Sequence, residues 1–209
     1  FEIDRKRRLD IRRNHSATHL LDQALRDVLG DTINQAGSLV DEDKLRFDFT
    51  FNEALTSEQK REIEDIVNAK IREELPVKKK FVSFEQSQEM GAIGLFEDKY
   101  KDEVRVVSIG DYSKELCGGC HVDNSSNILM FKIISESSVS AGVRRIEAIT
   151  GNRVYKLLLD QKDTIDSIAR LLNTKNNQIE QRIESIKEEI QDQKNEIKRL
   201  KSSSSKDIY

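Results

Sequence analysis

The sequence predicts an α+β domain followed by a long helical segment. Apolar residues at three- and four-residue spacing predict a helix over residues 5–29, and alternating apolar residues then mark a succession of strands up to residue 149. From Asn152 onward, apolar residues recur at every seventh position. We therefore expect an antiparallel or mixed sheet with packed helices, and then a coiled-coil-like appendage.

The first half of the chain predicts two helices around a hairpin. The first helix should end at Gly30, although Asn14 could cap it later and leave residues 5–13 as an arm. Residues 33–51 predict a hairpin with its turn at residues 41–44. Thr56 and Gln59 resemble a capping box at the start of a helix that Pro76 ends.

The second half predicts strands and then helices. The expected strands cover residues 77–84, 104–109, 128–134 and 143–149. The heptad pattern is strongest from Ile179, and residues 173–177 form a break between two helices. We expect a domain at 1–150, a helical hairpin or coiled coil at 151–201 with capacity for self-association, and a disordered tail at 202–209.

Composition restricts the class of protein. Hydrophobic residues make up 36% and charged residues 35% of the chain, which fits a core attached to a solvated helical segment. No apolar run is long enough to span a membrane, and no export leader is visible. Two cysteines two residues apart do not form a disulfide framework, so we expect a reducing cytoplasm. A chain that begins at Phe1 is expected to be a fragment.

Basic clusters stand out although the net charge is only -3. Local clusters bind phosphates even when the total charge is acidic. Solvated helix and strand faces are the alternative for each of them. The clusters lie at residues 5–13, at Lys78–Lys80 and at Arg144–Arg145.

Every histidine and cysteine falls in one of two short segments. The chain has 3 His and 2 Cys. His15 and His19 are four positions apart on the predicted helix, and Cys117 and His121 flank two glycines. Two imidazoles in this spacing are half of a zinc site, and the second segment supplies the other half. The alternative is that the histidines lie on a helix surface and Cys117 is a small buried apolar residue.

Two other interpretations use the same residues. Cys117-x-x-Cys120-His121 matches the c-type haem attachment pattern, for which Met90 or Met130 would serve as an axial partner. Cys-x-x-Cys also resembles a thiol redox pair, but two glycines and strand-like sequence replace the usual helix start.

Five motifs together resemble the editing domain of alanyl-tRNA synthetase, which is related to freestanding alanyl-tRNA editing proteins. They occur in the family's order between about Arg5 and Gly151, and the resemblance continues into the helical segment. The motifs are His15-Ser-Ala-Thr-His19, Gln35-Ala-Gly-Ser-Leu-Val, Leu45-Arg-Phe-Asp-Phe49, Glu115-Leu-Cys-Gly-Gly-Cys-His-Val122 and Gly142-Val-Arg-Arg-Ile-Glu-Ala148.

The resemblance implies hydrolysis of tRNA(Ala) that carries serine or glycine, by a piece that lacks the aminoacylation domain. It implies that His15, His19, Cys117 and His121 hold Zn²⁺, and that Thr18 and Gln35 line the editing pocket. Whether the ion only anchors the site or also polarises water stays open. A non-catalytic module that binds tRNA or self-associates is the alternative.

Two further points concern the tRNA and the second cysteine. Arg144 and Arg145 are expected near the acceptor-end phosphates, with an outward-facing residue and a pair to Glu147 as the alternative. The family commonly has Thr where Cys120 stands, and we expect Cys120 to be a replacement of tolerated size that ligates nothing.

Overall fold

The computed structural model describes residues 2–94 and 103–204. Tertiary contacts divide the chain into two compact units, Phe1–Tyr155 and Lys156–Tyr209. The helices are α1 (Arg5–Leu29), α2 (Ser57–Arg72), α3 (Phe84–Glu89), α4 (Asn152–Leu171) and α5 (Ile179–Ser204). The strands are β1 (Gln35–Val40), β2 (Leu45–Thr50), β3 (Val77–Ser83), β4 (Glu103–Ile109), β5 (Ser113–Leu116), β6 (Phe131–Ser140) and β7 (Val143–Thr150).

The strands of the first unit form two sheets. One has the order β1-β2-β7-β6 and the other β3-β4-β5, and every pairing between these strands is antiparallel. Helix α1 contacts β1, β2 and β7 of the first sheet and β5 of the second. The predicted α+β class is therefore confirmed, and α1 is the element that both sheets share.

The buried side chains that join these elements are the apolar ones of the predicted periodicities. Leu20, Leu21 and Leu25 of α1 are fully buried with Phe47 and Phe49 of β2. On the surface side of the core, α2 begins at the capping box formed by Thr56 and Gln59, as its sequence predicts.

Helix α1 is continuous from Arg5, so the alternative in which Asn14 caps a later helix is wrong. Asp4 caps the helix and accepts a hydrogen bond from Arg7 N. Asn14 instead lies buried within α1, where its amide donates to Asp41 O (2.8 Å) and its carbonyl accepts from Thr150 Oγ1 (2.6 Å). Its polar side chain serves to tie α1 to the first sheet.

The later strands differ from their predicted bounds. Ile128 lies in a 3₁₀ helix, Ser125–Ile128, and β6 begins at Phe131 and continues to Ser140. Most of its second half is exposed at the edge of the sheet, so no apolar alternation marks it. Strand β5 has four residues and was not predicted, because so short a segment carries no recognisable period.

The second unit is helical in the part that the structure describes. A 3₁₀ turn, Asn176–Gln178, separates α4 from α5 where the sequence predicted a break. Helix α5 reaches Ser204, so its last three residues fall in the segment expected to be disordered, and 205–209 lie outside the described residues. The predicted hairpin and its domain bounds stay predictions. No described helix is long and apolar enough to cross a membrane.

Candidate metal centre

Helix α1 presents one half of the site. His15 and His19 are one helical turn apart, with ring centroids separated by 5.6 Å. His19 is 3% exposed and His15 is half-buried. Because Asn14 fixes this part of α1 to the turn after β1 and to the last residue of β7, the two imidazoles have a rigid support.

The loop after β5 presents the other half. Strand β5 pairs with β4 and leads directly into Cys117. Arg105 of β4 holds the loop from the side, because its guanidinium donates to Gly119 O at 2.7 Å and to Cys117 O at 3.3 Å. These bonds to two carbonyls set the direction in which the loop carries Cys117 and His121.

The two halves meet. One ligand atom from each of His15, His19, Cys117 and His121 lies within 4.8 Å of all the others. Cys117 Sγ is 3.4 Å from His15 Nε2 and 3.3 Å from His121 Nε2. A tetrahedral zinc ion would place a thiolate and an imidazole nitrogen roughly 3.6 Å apart, so the spacing suits one metal ion. Their role as zinc ligands stays a prediction.

Burial keeps the three imidazoles neutral. Desolvation lowers the pKa of His19 to about 3, and lowers the pKa of His15 and of His121 in the same direction. Burial also raises the pKa of the Cys117 thiol. Neutral imidazoles are ready to coordinate, and a cation at this point would favour the thiolate over the thiol.

One buried atom points to a missing partner. His19 Nδ1 is buried and has no hydrogen-bond partner among the described residues, whereas His19 Nε2 lies 3.4 Å from a carboxylate oxygen of Glu115. Metal-binding imidazoles commonly have one nitrogen on the ion and the other against a carboxylate. A metal ion at Nδ1 would satisfy this atom, so the residues present fit the ion that the resemblance implies.

A glycine makes room for the site. A Cβ atom added to Gly119 would lie 1.8 Å from His15 Cε1 and 2.4 Å from His15 Nδ1, whereas one added to Gly118 would have nothing within 4 Å. Of the two glycines in the loop, therefore, only Gly119 lies against the His15 ring. Residue 119 must be a glycine for the two halves to close.

Ser16 fixes the fourth ligand from behind. Its Oγ lies 3.1 Å from His121 Nδ1 and accepts a hydrogen bond from Val122 N at 3.1 Å. Since Nδ1 is occupied by this hydroxyl, Nε2 is the nitrogen of His121 left to face Cys117.

A basic cleft lies beside the four ligands. Its volume is about 410 Å³, within the range of ordinary ligand sites. Arg12 and Lys79 both bond to His121 O and to the carboxylate of Asp123, so the cleft is tied to the ligand loop. We call it the basic cleft; it is lined by Arg8, Arg12, Lys79, Arg105, Gly118, Gly119, Cys120 and His121.

The two predicted pocket residues lie on elements that meet. Thr18 follows His15 by three positions on α1, is 5% exposed, and donates its hydroxyl proton to Asn14 O at 2.9 Å. Gln35 begins β1, opposite Phe49, and is half-buried. Helix α1 contacts β1, but the catalytic roles of Thr18 and Gln35 stay predictions.

Arg144 and Arg145 are both ion-paired within the first sheet. Arg145 makes two bonds to Asp48, at 2.7 and 2.8 Å, and Arg144 bonds to Glu136. The pair with Glu147 that the alternative required is not formed, because Glu147 pairs with Lys44 across the strands. Contact of either arginine with tRNA stays a prediction.

Cys120 lies outside the cluster of four ligands. It faces the basic cleft and, on its other side, a depression that includes Ile3, Arg7 and Ile11. Both cysteines are free thiols. Cys120 and Cys117 therefore have different neighbours, although they are only three positions apart in the sequence.

Sequence reasoning missed four residues around the site: Ser16, Lys79, Arg105 and Glu115. Ser16 and Glu115 stand inside the quoted motifs, and their nearness to a ligand was the available signal. Lys79 belonged to a basic cluster, but its contact with the ligand loop depends on strand β3 lying beside that loop. Nothing local marks Arg105, whose partners are backbone carbonyls more than ten residues away.

Comparison with known proteins identifies relatives. Residues 104–147 match the family described as the threonyl and alanyl tRNA synthetase second additional domain. The chain is 49% identical over 200 residues to the alanine–tRNA ligase of Clostridioides difficile, covering 96% of this chain and 23% of that protein. It is 50% identical over 200 residues to that of Acetivibrio thermocellus, with the same coverage. For Thermotoga maritima the identity is 48% over 192 residues, covering 92% and 22%. The chain thus spans about a quarter of the length of these relatives.

Proposed function

We propose, from its match to the editing-domain region of alanyl-tRNA synthetases, that this chain proofreads tRNA(Ala) by hydrolysing the ester that joins serine or glycine to it. In this proposal the chain is part of an alanine–tRNA ligase that acts in the cytoplasm, where free thiols persist. The aminoacylation reaction belongs to the remainder of the longer protein.

The observation that supports this proposal most strongly is the convergence of four ligands beside the basic cleft. The ligands come from α1 and from the loop after β5, far apart in sequence. The cleft beside them carries four cationic side chains and, among its described lining residues, no carboxylate. An excess of positive charge suits the phosphates of an RNA end, and the adjacent ligands suit an ion that orients its terminal residue.

A hydrolytic site separate from the aminoacylation site is needed, because a pocket that binds alanine does not discriminate well enough against glycine and serine. Glycine is smaller than alanine, and serine adds only a hydroxyl group to it. A hydrolytic site that hydrogen-bonds the serine hydroxyl would disfavour alanine, whose methyl group leaves the site's polar groups unpaired. Thr18 suits this role, because its proton goes to Asn14 O and its oxygen is left to accept from the serine hydroxyl.

Hydrolysis itself requires one water. The water oxygen adds to the ester carbonyl carbon, the bond between that carbon and the ribose oxygen breaks, and a proton passes to the ribose oxygen. Neither Thr18 nor Gln35 is a strong base, so their contribution is to position the ester and the water. Zn²⁺ held by His15, His19, Cys117 and His121 would supply a fixed positive charge that orders the site.

The test compares release of serine and of alanine. Purified chain is incubated with Ser-tRNA(Ala) and separately with Ala-tRNA(Ala), and free amino acid is measured over time. We expect selective release of serine and loss of this activity, together with bound zinc, in Cys117→Ala. Cys120→Ala is the matched control and should keep both. Full activity in a Cys117→Ala protein that holds no zinc would refute the role of the cluster.

Two alternatives give other results. A non-catalytic module would retain tRNA without releasing serine from it. A haem or redox protein would need both thiols exposed to one partner, but Cys117 Sγ lies between His15 and His121 while Cys120 faces the cleft. Haem absorbance or reversible disulfide formation without bound zinc would support that class instead.

A further inference from the structure

We propose that Phe81 is the surface on which the terminal unpaired nucleobase of the bound RNA stacks, next to the basic cleft. This inference rests on the proposed function, because it takes the single-stranded acceptor end as the ligand. It adds a recognition element for the base to the cations already assigned to the phosphates.

Phe81 is unusually exposed for its residue type. Its exposed fraction is 67%, the largest of any phenylalanine described, and it lies on β3, an edge strand of the second sheet. A single exposed apolar residue is common on protein surfaces and implies nothing by itself. Its position relative to the cleft is what gives the exposure a meaning.

The strand pairing places Phe81 beside two cleft cations. Phe81 lies directly opposite Arg105 in the β3–β4 pair, so both side chains project from the same face with Cβ atoms roughly 4.5–5.5 Å apart. Lys79 is two residues earlier on β3 and therefore shares this face, roughly 6.6 Å along the strand. Arg105 and Lys79 both line the basic cleft.

The same face changes character along the strands. At one end Val77, Val107 and Ile109 are buried in the core. Lys79 and Arg105 follow, and both bond to the ligand loop. Phe81 comes last, beyond the core, so its ring adds nothing to the packing of the core.

An aromatic ring beside a basic groove is the usual way in which proteins bind single-stranded nucleic acid. The cations neutralise the backbone while bases stack on the ring, and each stacked base contributes about 1–3 kcal/mol by alanine substitution. Arg8, Arg12, Lys79 and Arg105 outnumber the single carboxylate, Asp123, to which two of them bond. Phosphate groups on these cations would bring the adjoining base over Phe81.

A direct test uses tryptophan as a reporter. The chain contains no Trp, so Phe81→Trp introduces a single tryptophan at the proposed surface, and its fluorescence can be excited apart from that of the 4 tyrosines. The protein is titrated with a short unpaired RNA ending in CCA, and with the same RNA whose last base is replaced by an abasic ribose. We expect quenching by the first RNA and much weaker quenching by the second. Leu39→Trp, on the edge strand of the other sheet, is the control and should respond to neither.

A second test measures kinetics on Ser-tRNA(Ala). Phe81→Ala should raise KM by about 5- to 150-fold, the equivalent of one lost stacking contact, with little change in kcat. Phe81→Tyr should restore the original KM, since it keeps the ring. Leu39→Ala removes an exposed apolar side chain of similar size elsewhere and should leave KM unchanged.

The outcomes separate this inference from the function on which it rests. If serine is released with the same KM by Phe81→Ala and by the unmodified chain, the stacking proposal is wrong and the hydrolase survives. If no serine is released but base-dependent quenching occurs, hydrolysis is wrong and the stacking surface stands. Quenching of Phe81→Trp that ignores the terminal base would assign Phe81 to another partner and overturn the inference.

Discussion

At the scale of single residues, the account depends most on Gly119. The absent side chain of this glycine lets the ligand loop approach the His15 ring, where a Cβ would lie 1.8 Å from a ring carbon. That atom cannot be accommodated by a small shift, because the neighbouring bonds from Arg105 hold the loop in place. The fit of the site therefore rests on one hydrogen atom in place of a methyl group.

The prediction for Gly119→Ala follows from this contact. Pushing the His15 ring aside removes one ligand, so zinc affinity should fall by at least about 10-fold, measured by competition with a chromophoric chelator. Gly118→Ala is the control, since its Cβ would meet nothing within 4 Å. Equal zinc affinity in the two variants would show that the loop and His15 do not approach in this way.

The Arg145–Asp48 pair leads to a prediction about stability and pH. The bonds from Arg145 hold the pKa of Asp48 below its ordinary value of 3.8. A carboxylate with a depressed folded pKa stabilises the fold above its unfolded pKa and loses that contribution as the pH falls through the folded value. The coupling free energy from Arg145→Gln, Asp48→Asn and the double variant should be favourable at neutral pH. It should approach zero well below pH 3.8.

Urea unfolding of the four proteins at each pH provides this measurement. A coupling free energy that stays constant from neutral pH into strong acid would show that the Arg145–Asp48 ion pair is not its source. The same variants test the predicted tRNA contact: in the Asp48→Asn background, Arg145→Gln should weaken tRNA binding if the guanidinium also reaches a phosphate.

Residue types explain why the cluster of three histidines and Cys117 could be predicted while the residues that support it could not. Histidine and cysteine are rare here, so their grouping in two segments is informative without a structure. Serine, glutamate and arginine are common, and the roles of Ser16 and Arg105 depend on contacts across elements. The exposed ring of Phe81 likewise has no signal of its own, because aromatic residues are common in strands whether or not they are buried.

At the scale of elements, periodicity predicted long segments better than short ones. Helix α1 has the predicted bounds, because a long amphipathic pattern and Gly30 define both its face and its end. Strand β5 is short and the far half of β6 is exposed, so neither imposes an apolar alternation. Asn14 was misjudged because an asparagine usually favours caps, and only its two tertiary bonds explain its place within the helix.

Helix α5 carries a prediction about self-association. Ile183, Ile190 and Ile197 are 37%, 46% and 52% exposed on one side of the helix. In a parallel, in-register coiled coil the flanking Glu189 would face Lys194 of a second copy, and Glu196 would face Lys201. The remaining flank, Arg182 facing Lys187, would bring like charges together, so the parallel arrangement has two attractive flanking pairs and one repulsive pair.

Sedimentation velocity measures this association. Ile190→Asp should shift the chain toward monomer, and the charge reversal Glu189→Lys with Glu196→Lys should do so more weakly. Lys198→Glu, next to the stripe but outside its flanks, is the matched control. A chain that is monomeric at all concentrations would contradict self-association. The apolar stripe would then pack against another segment of the longer protein.

At the scale of the whole molecule, the site exists because α1 is shared by two sheets. One sheet fixes the helix that carries His15 and His19, and the other sheet delivers the loop that carries Cys117 and His121. The order of elements made an α+β fold predictable, but the division into two sheets required pairings between distant strands that no local pattern encodes. The rarity of histidine and cysteine, and then the resemblance to a family, predicted the juxtaposition that periodicity could not.

The most direct test of this account is X-ray absorption at the zinc edge of the zinc-loaded chain. We predict a first shell of three nitrogen ligands and one sulfur, unchanged in Cys120→Ala, whereas Cys117→Ala should retain no zinc. A shell with two sulfur ligands would show that Cys117 and Cys120 bind the ion together. A shell of oxygen and nitrogen alone would show that the two halves do not close on the metal.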